Sequence, residues 1–133
     1  MVKTKQQKRA EFALETLKQI SPNLKIDKKL STFIVGMPTM ILSNGLGQTM
    51  AYLMAKKDKE DRKETFYIIN KYLCATRENI FGKYNRSPEG AFNCLMKFTE
   101  INQKDYVEIQ EDVLRMLEWL KRYARAFTED KEK

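Results

Sequence analysis

The stretch DYVEIQEDVLRMLEWLKRYARAF, residues 105–127, decides the fold of this chain. Its apolar residues recur at alternating spacings of three and four for about six turns, the period of an α-helix with one buried face. Asn102 or Asp105 can cap this helix, and Glu118 and Arg122 have the i,i+4 spacing of an ion pair. The sequence therefore predicts a long amphipathic helix that buries Tyr106, Ile109, Val113, Met116, Leu117, Leu120, Ala124 and Phe127.

Three more helical segments are predicted toward the N-terminus. The segment of about residues 3–20 has one apolar face, formed by Ala10, Ala13, Leu14, Leu17 and Ile20. A second helix starts after Asp27, whose side chain suits the N-cap, and Pro38 kinks or restarts it because proline lacks a backbone donor. The segment 38–57 is apolar on all sides, which predicts a position at the centre of a bundle.

Two glycines interrupt this apolar segment. Gly45 and Gly47 are only two residues apart, and each costs about 1 kcal/mol inside a helix. Glycine is suited to places where another part of the chain comes very near, because it has no side chain. We therefore expect another backbone to approach closely at these two positions.

Turns and helices alternate after these glycines. Residues 56–64 hold five Lys/Arg and four Asp/Glu, the composition of a solvated turn. A helix over about 62–81 follows, and Ser87 with Pro88 at the first helical position predicts the start of the next. That helix is expected to bury Ala91, Phe92, Leu95 and Met96. With no strand pattern and no repeat, the chain is predicted to be all-α, a compact bundle of about six helices forming a single domain over residues 1–133.

The composition argues against catalysis. The 133 residues include no histidine, so the commonest general base is missing and no Cys–His or Ser–His pair can form within the chain. No Walker A loop, EF-hand or Rossmann fingerprint occurs. The acidic residues of the 56–64 turn alternate with lysines and arginines that would compete with a metal ion. We predict a non-enzymatic protein with no cofactor, no metal site and no small-molecule substrate.

Cysteine usage and hydropathy indicate a cytoplasmic protein. Cys74 and Cys94 stand twenty residues apart without a CxxC motif, so we expect two buried, reduced thiols rather than a zinc site or a disulfide. The N-terminal residues are basic and lack the apolar core of a signal peptide. The longest apolar stretch, around 33–54, is broken by polar residues and glycines, so no membrane span is expected.

The charge points to a polyanionic partner or a basic contact face. The net charge is +7, and residues 1–29 hold eight Lys/Arg against three Asp/Glu. Candidate contacts to nucleic-acid phosphates lie in the first helix, in the charged turn and near the C-terminal end of the last helix. They are Lys8, Arg9, Lys56, Lys57, Arg122 and Arg125. Such contacts would act through phosphates and shape, without reading a base sequence.

An aromatic side chain among the cations of the first helix has three possible roles. Phe12 lies off the apolar stripe, within one turn of Lys8 and Arg9. A ring beside cations suits contact with a base or a sugar. It equally suits docking against a neighbouring subunit, or packing in a groove between helices.

Several short motifs together resemble those of a known protein family. Residues 37–41 (MPTMI), 44–48 (NGLGQ) and 51–56 (AYLMAK) follow one another in the family's order. Near the C-terminus, residues 117–124 (LEWLKRYA) resemble the family's terminal Trp-Leu-Lys-Arg-Phe-Ala, and residues 7–10 (QKRA) fit its opening helix. On these motifs the chain resembles the small subunit of the Cmr module (RAMP module), the type III-B CRISPR effector complex.

This resemblance implies a compact α-helical subunit without nuclease activity. Cmr complexes carry a CRISPR RNA, pair it with foreign target RNA, and cleave that RNA with other subunits. The resemblance therefore implies other Cmr-complex subunits, CRISPR RNA and target RNA as partners in antiviral defence, with basic side chains lining the guide–target duplex. The alternative is a helical adaptor that binds only proteins. A DNA-binding regulator is disfavoured, since no helix-turn-helix with a polar recognition helix is evident.

Overall fold

Seven α-helices form the fold in the computed structural model, which describes residues 2–128. The all-α bundle is confirmed, with no strand among the described residues. There is one helix more than expected, because the predicted 62–81 helix divides at Arg77. The helices are α1 (Lys5–Ile20), α2 (Lys28–Asn44), α3 (Leu46–Ala55), α4 (Glu60–Thr76), α5 (Glu78–Phe81), α6 (Pro88–Glu100) and α7 (Gln103–Ala126).

Short polar side chains start four of these helices. The Thr4 hydroxyl accepts from the Gln7 amide at 3.1 Å and opens α1 with a capping box. Asp27, as predicted, caps α2, and the Ser87 hydroxyl accepts from the Gly90 amide at 3.1 Å. Asn102 rather than Asp105 caps α7. These four starts are encoded locally, because each cap satisfies a backbone N–H that lacks an intrahelical partner.

Helix α4 lies deepest in the core. Its residues 65–70 and 72–74 are all buried, and it packs against α2, α3, α5 and α6. Helix α7 packs along α1 and α2 and buries the stripe from Ile109 to Ala124. The predicted central position of segment 38–57 is wrong, since that segment divides into two helices and Leu42 is 70% exposed.

Proline does not end α2. The helix continues through Pro38 to Asn44, so the predicted kink or restart does not mark the helix boundary. Ile34, Met37 and Ile41 are fully buried and continue one apolar stripe across the proline. We attribute the continuity to this packing, which offsets the missing N–H of a mid-helix proline.

The break falls instead at Gly45, where α7 supplies the cap of α3. Gly45 has φ +83° and ψ 156°, and it offers no side chain to the free N–H groups that begin α3. The Leu46 amide donates to the Gln110 side-chain oxygen at 2.8 Å, and the Gly47 amide donates to the Tyr106 hydroxyl at 2.6 Å. The expected approach of another backbone to these glycines is wrong, because the groups that come close to them are side chains, chiefly that of Tyr106.

Helix α7 also holds the opposite end of α2. The Ile26 amide donates to the Phe127 carbonyl at 2.8 Å, and the Thr128 hydroxyl donates to the Ser31 hydroxyl at 2.8 Å. The start of α2 therefore lies at the end of α7, while the end of α2 lies near the start of α7. The two helices run antiparallel and are tied at both ends.

Two predicted core faces include residues that are exposed in the structure. Helix α6 buries Ala91 and Cys94, whereas Phe92 is 62% exposed and Met96 lies on the same outer side. The error arises because α6 has apolar residues on both faces, and residues 92 and 96 are spaced by one turn just as a core pair would be. In α1, Leu14 is also exposed, although Ala13 and Leu17 beside it are buried.

We predict that Gly45→Ala lowers the free energy of unfolding by about 1–3 kcal/mol, since its backbone conformation is reserved almost entirely for glycine. The added Cβ would also lie 3.2 Å from the Tyr106 hydroxyl oxygen that caps α3. Urea unfolding followed by helical circular dichroism measures the change.

Gly36→Ala is the matched control. Gly36 lies inside α2, and a Cβ built there meets no atom within 4 Å. Because alanine is the better helix former, this variant should be as stable as the parent or more stable by up to about 1 kcal/mol. Equal destabilisation by both substitutions would contradict the special role of Gly45.

Candidate nucleic-acid interface

Arg9, one of the predicted phosphate contacts, is part of a mostly buried ion cluster. Its Nε donates to Asp112 Oδ1 at 2.7 Å, and Arg77 Nη1 donates to Oδ2 of the same carboxylate at 2.6 Å. The Tyr72 hydroxyl completes the cluster with a 2.8 Å bond to Oδ1. The exposed fractions of the three charged side chains lie between 13% and 23%. The cluster joins α1 and α7 to α4 and the residue that follows it.

This cluster keeps Asp112 ionised. Burial raises the pKa of Asp112, but hydrogen bonds from Arg77, Arg9 and Tyr72 oppose burial, and the pKa falls below its ordinary value of 3.8. Burial alone would lower the pKa of Arg9, yet the bond to Asp112 raises it. Both groups are therefore charged at neutral pH, and the Arg9 guanidinium is directed at Asp112.

The arginines divide into paired and unpaired groups. Five of the seven arginines make an ion pair: Arg9, Arg62, Arg77, Arg86 and Arg115. Among residues 2–128, Arg122 and Arg125 have no such partner, and both are exposed. The predicted Glu118–Arg122 pair is wrong, because Glu118 pairs with Lys121 at 2.9 Å and leaves Arg122 to the solvent.

The last turns of α7 adjoin the first turn of α1. The indole N–H of Trp119 donates to the Gln6 side-chain oxygen at 3.2 Å, and its ring stacks on Tyr123 with 5.8 Å between centroids. The first turn of α1 therefore lies beside the segment of α7 that carries Arg122. Lys8 is exposed on α1, two residues beyond Gln6.

Phe12 packs between helices. Its ring meets Tyr72 of α4 edge to face with 4.9 Å between centroids, and the side chain is half-buried. Of the three roles left open by the sequence, the structure shows the packing role. The contact lies next to the Asp112 cluster, because Tyr72 belongs to both.

Lys56 and Lys57 form a second basic surface. Both are exposed in the turn between α3 and α4, together with Lys59, and none of the three makes an ion pair within the described residues. Helix α3 meets α7 at its first turn and then packs against α4 and α6, so this turn is separate from the Arg122 and Arg125 surface. The structure thus separates Lys56 and Lys57 from Arg122 and Arg125.

Neither cysteine has the surroundings of a nucleophile. Both are free and buried, as predicted from their spacing. Burial raises the pKa of the Cys94 thiol to about 12, and burial with nearby Glu78 raises that of Cys74. Among residues 2–128 no three His, Cys, Asp or Glu side chains are grouped to hold a metal ion.

The same part of the chain has no helix with the length and apolar character needed to cross a bilayer.

These features define a small all-α protein with exposed basic side chains and an ion cluster around Asp112 that joins α1, α4 and α7. A sequence profile of the CRISPR-associated protein (Cas_Cmr5) family matches residues 5–127, which span all seven helices. The chain therefore belongs to this family and is a Cmr-complex subunit of the type III-B CRISPR defence system. Membership implies association with other subunits of that complex.

Sequence reasoning missed the Asp112 cluster and a wide groove between α1, α2 and α4. Asp112 and Glu111 are adjacent acidic residues on α7. Only Asp112 faces α1, and the sequence alone does not show which of the two does. The partner residues lie 35 to 103 positions away along the chain, so no local spacing connects them. The groove is formed by three helices and likewise has no local signature.

We predict that Asp112→Asn lowers the free energy of unfolding by about 3 kcal/mol, because it leaves two mostly buried guanidinium groups without a counter-charge. The pH dependence should also change. A lowered folded-state pKa contributes stability that is present above 3.8 and is lost as the pH falls through the folded-state value. Thermal unfolding between pH 2 and pH 7 should therefore be less pH-dependent in the variant.

Glu111→Gln provides the control on the adjacent residue. The Glu111 side chain is 60% exposed and pairs only with exposed Arg115, so its removal should change stability by less than about 1 kcal/mol. A comparable destabilisation in both variants would show that the Asp112 cluster contributes no more to stability than the exposed Glu111–Arg115 pair.

Proposed function

We propose that this chain is a non-catalytic Cmr subunit that contacts the backbone of guide or target RNA and supports assembly of the complex in the cytoplasm. The observation that carries the proposal is the pairing of the arginines. Five are neutralised by carboxylates of the chain, whereas Arg122 and Arg125 are exposed near the end of α7 without an ion pair in residues 2–128.

Exposed cations without internal partners suit phosphate contact. A paired guanidinium must break its ion pair before it can bind a phosphate, whereas an unpaired one loses only hydration. In the proposal, Arg122 with Arg125 forms one phosphate contact, Lys56 with Lys57 forms a second, and Lys8 on α1 adds a further one. Contacts of this kind would hold RNA of any sequence, as a subunit working with many different guides requires.

Arg9 has an indirect role in this proposal. Its guanidinium is directed at Asp112 and is largely covered, so a phosphate would have to displace the carboxylate. We assign Arg9 to holding α1, which carries Lys8, against α7. Replacing Arg9 should therefore lower stability as well as RNA affinity, whereas replacing Arg122 should lower only RNA affinity.

The absence of catalysis is also part of the proposal. It is supported by the lack of histidine, by the burial of both thiols, and by the lack of a metal-binding cluster in residues 2–128. Purified chain incubated with RNA and Mg²⁺ should leave the RNA intact. Metal-dependent cleavage that follows the chain through purification and is abolished by unfolding would contradict a non-catalytic subunit.

A helical adaptor that binds only proteins is the second candidate. The outer face of α6 favours it, because Phe92 and Met96 are exposed one turn apart. Exposed aromatic and methionine side chains are enriched at protein interfaces. The two candidates differ in their response to RNA and salt, which makes them separable.

We predict that Arg122→Glu with Arg125→Glu weakens the affinity for single-stranded RNA and lowers its salt dependence. The slope of log affinity against log salt should fall by about 0.7 for each phosphate that is no longer bound, or about 1.4 for the pair. Fluorescence anisotropy of a labelled RNA across a salt series measures both quantities. Lys56→Glu with Lys57→Glu should have the same kind of effect through the second patch.

Lys83→Glu with Lys104→Glu is the matched control. Both lysines are exposed and lie outside the two patches, and the substitutions change the net charge by the same amount. If the control weakens RNA binding as strongly, net charge and not position would explain the effect. No RNA binding by the parent chain even at low salt would favour the adaptor.

A further inference from the structure

A wide groove opens between the end of α1, one side of α2 and the start of α4. Its volume is about 1350 Å³, and its lining includes the apolar side chains Ile20, Leu30, Phe33 and Met40. Small-molecule sites usually enclose about 300–1,000 Å³. An open groove of this size is better suited to a segment of a macromolecule, and an α-helix with its side chains measures about 10–12 Å across.

Two of the four carboxylates that line the groove are in ion pairs. Asp61 holds Arg62 with bonds of 2.8 and 2.9 Å, and Glu64 pairs with Arg86 at 2.9 Å. Asp27 accepts a backbone N–H as the cap of α2 and keeps its charge. Asp27 and Glu60 make no ion pair within the described residues.

The lysines around the groove lack such partners. Lys28, Lys29 and Lys59 line it, are exposed, and make no ion pair among residues 2–128. Once the internally ion-paired groups are set aside, three lysines face the two carboxylates of Asp27 and Glu60. The groove therefore combines an apolar lining with a surplus of one positive charge.

We propose that this groove docks an acidic amphipathic helix of a protein partner. The apolar face of such a helix would cover Ile20, Phe33 and Met40, and its carboxylates would meet Lys28, Lys29 and Lys59. Binding of an amphipathic helix in an apolar groove is a general mode of protein recognition. Complementary charge at the edge of the contact sets partner choice and association rate.

The groove fits RNA less well than it fits an acidic helix. Bases need the faces of aromatic rings, and Phe33 already has the Arg62 guanidinium over its ring at 4.4 Å from the centroid. The other apolar side chains of the groove are aliphatic or thioether, which suits apolar side chains better than a sugar–phosphate chain. Of the three lysines of this groove, Lys28 and Lys29 lie outside the Lys56 and Arg122 patches proposed for RNA, and Lys59 adjoins the Lys56 patch.

Photo-crosslinking in the reconstituted Cmr complex tests the assignment. The photoreactive residue p-benzoylphenylalanine replaces Thr32, which is exposed on the groove wall, or replaces Lys104 as a control outside the groove. Mass spectrometry should place the Thr32 crosslink on a partner segment with acidic and apolar residues at helical spacing. A crosslink to RNA, a crosslink to a neutral or basic segment, or a yield no higher than at position 104 would overturn the proposal.

Charge reversal gives a second measurement. Lys28→Glu with Lys29→Glu should weaken binding to the crosslinked partner subunit by about tenfold or more, because like charges then face each other. Acidic residues in the first turn of a helix favour the helix dipole, so these substitutions should leave α2 folded. Unchanged partner binding in the folded double variant would also overturn the proposal, and Lys83→Glu with Lys104→Glu is again the charge-matched control.

Docking of a partner helix in the groove is separate from the RNA contact proposed above, and either can fail without the other. The Lys28 and Lys29 reversal should leave RNA affinity of the isolated chain within about twofold of the charge-matched control. The Arg122 and Arg125 reversal should leave the Thr32 crosslink unchanged. Weakened partner binding with retained RNA binding would assign the groove to the protein partner alone.

Discussion

The fold depends on a helix start that its own segment cannot satisfy. Gly45 turns the chain from α2 into α3 with a positive φ and offers no capping side chain, so the first N–H groups of α3 need acceptors from elsewhere. Tyr106 and Gln110 of α7 provide them. Because α7 also holds the start of α2 through Phe127 and Thr128, one helix sets the position of two others. The lysine turn after α3 is placed by this arrangement.

Internal ion pairs decide which cations face the solvent. Asp112 holds two arginines, and Asp61 and Glu64 hold one each, so most guanidinium groups of the chain are neutralised close to the core or along the groove. The charge that remains exposed is mainly lysine, together with Arg122 and Arg125 near the end of α7. The family match makes the chain a subunit of a Cmr complex.

Local features of the sequence predicted local features of the structure. The long stripe of α7 and the caps at Asp27 and Ser87 were predictable, because periodicity and capping act within a few residues. The face of α6 and the continuity of α2 through Pro38 were not, since both are decided by packing against distant helices. The motif at residues 44–48 is one of those on which the chain resembles the family. Its capping by Tyr106 could not be predicted from the sequence, because Tyr106 lies about sixty positions away. The Asp112 cluster and the α1–α2–α4 groove have the same non-local character.

The capping of α3 by α7 also bears on the order of folding. The Leu46 amide and the Gln110 side chain are separated by 64 positions, and the Gly47 amide and Tyr106 by 59. During synthesis, α2 and α3 leave the ribosome well before α7, so the side chains that cap α3 are not yet present. Until then α3 is a ten-residue helix with an uncapped start, too short to be stable alone. Closing the bundle is thus a late, long-range step, and a nascent chain that lacks α7 exposes the apolar side chains of α2 and α3 to chaperones or to aggregation.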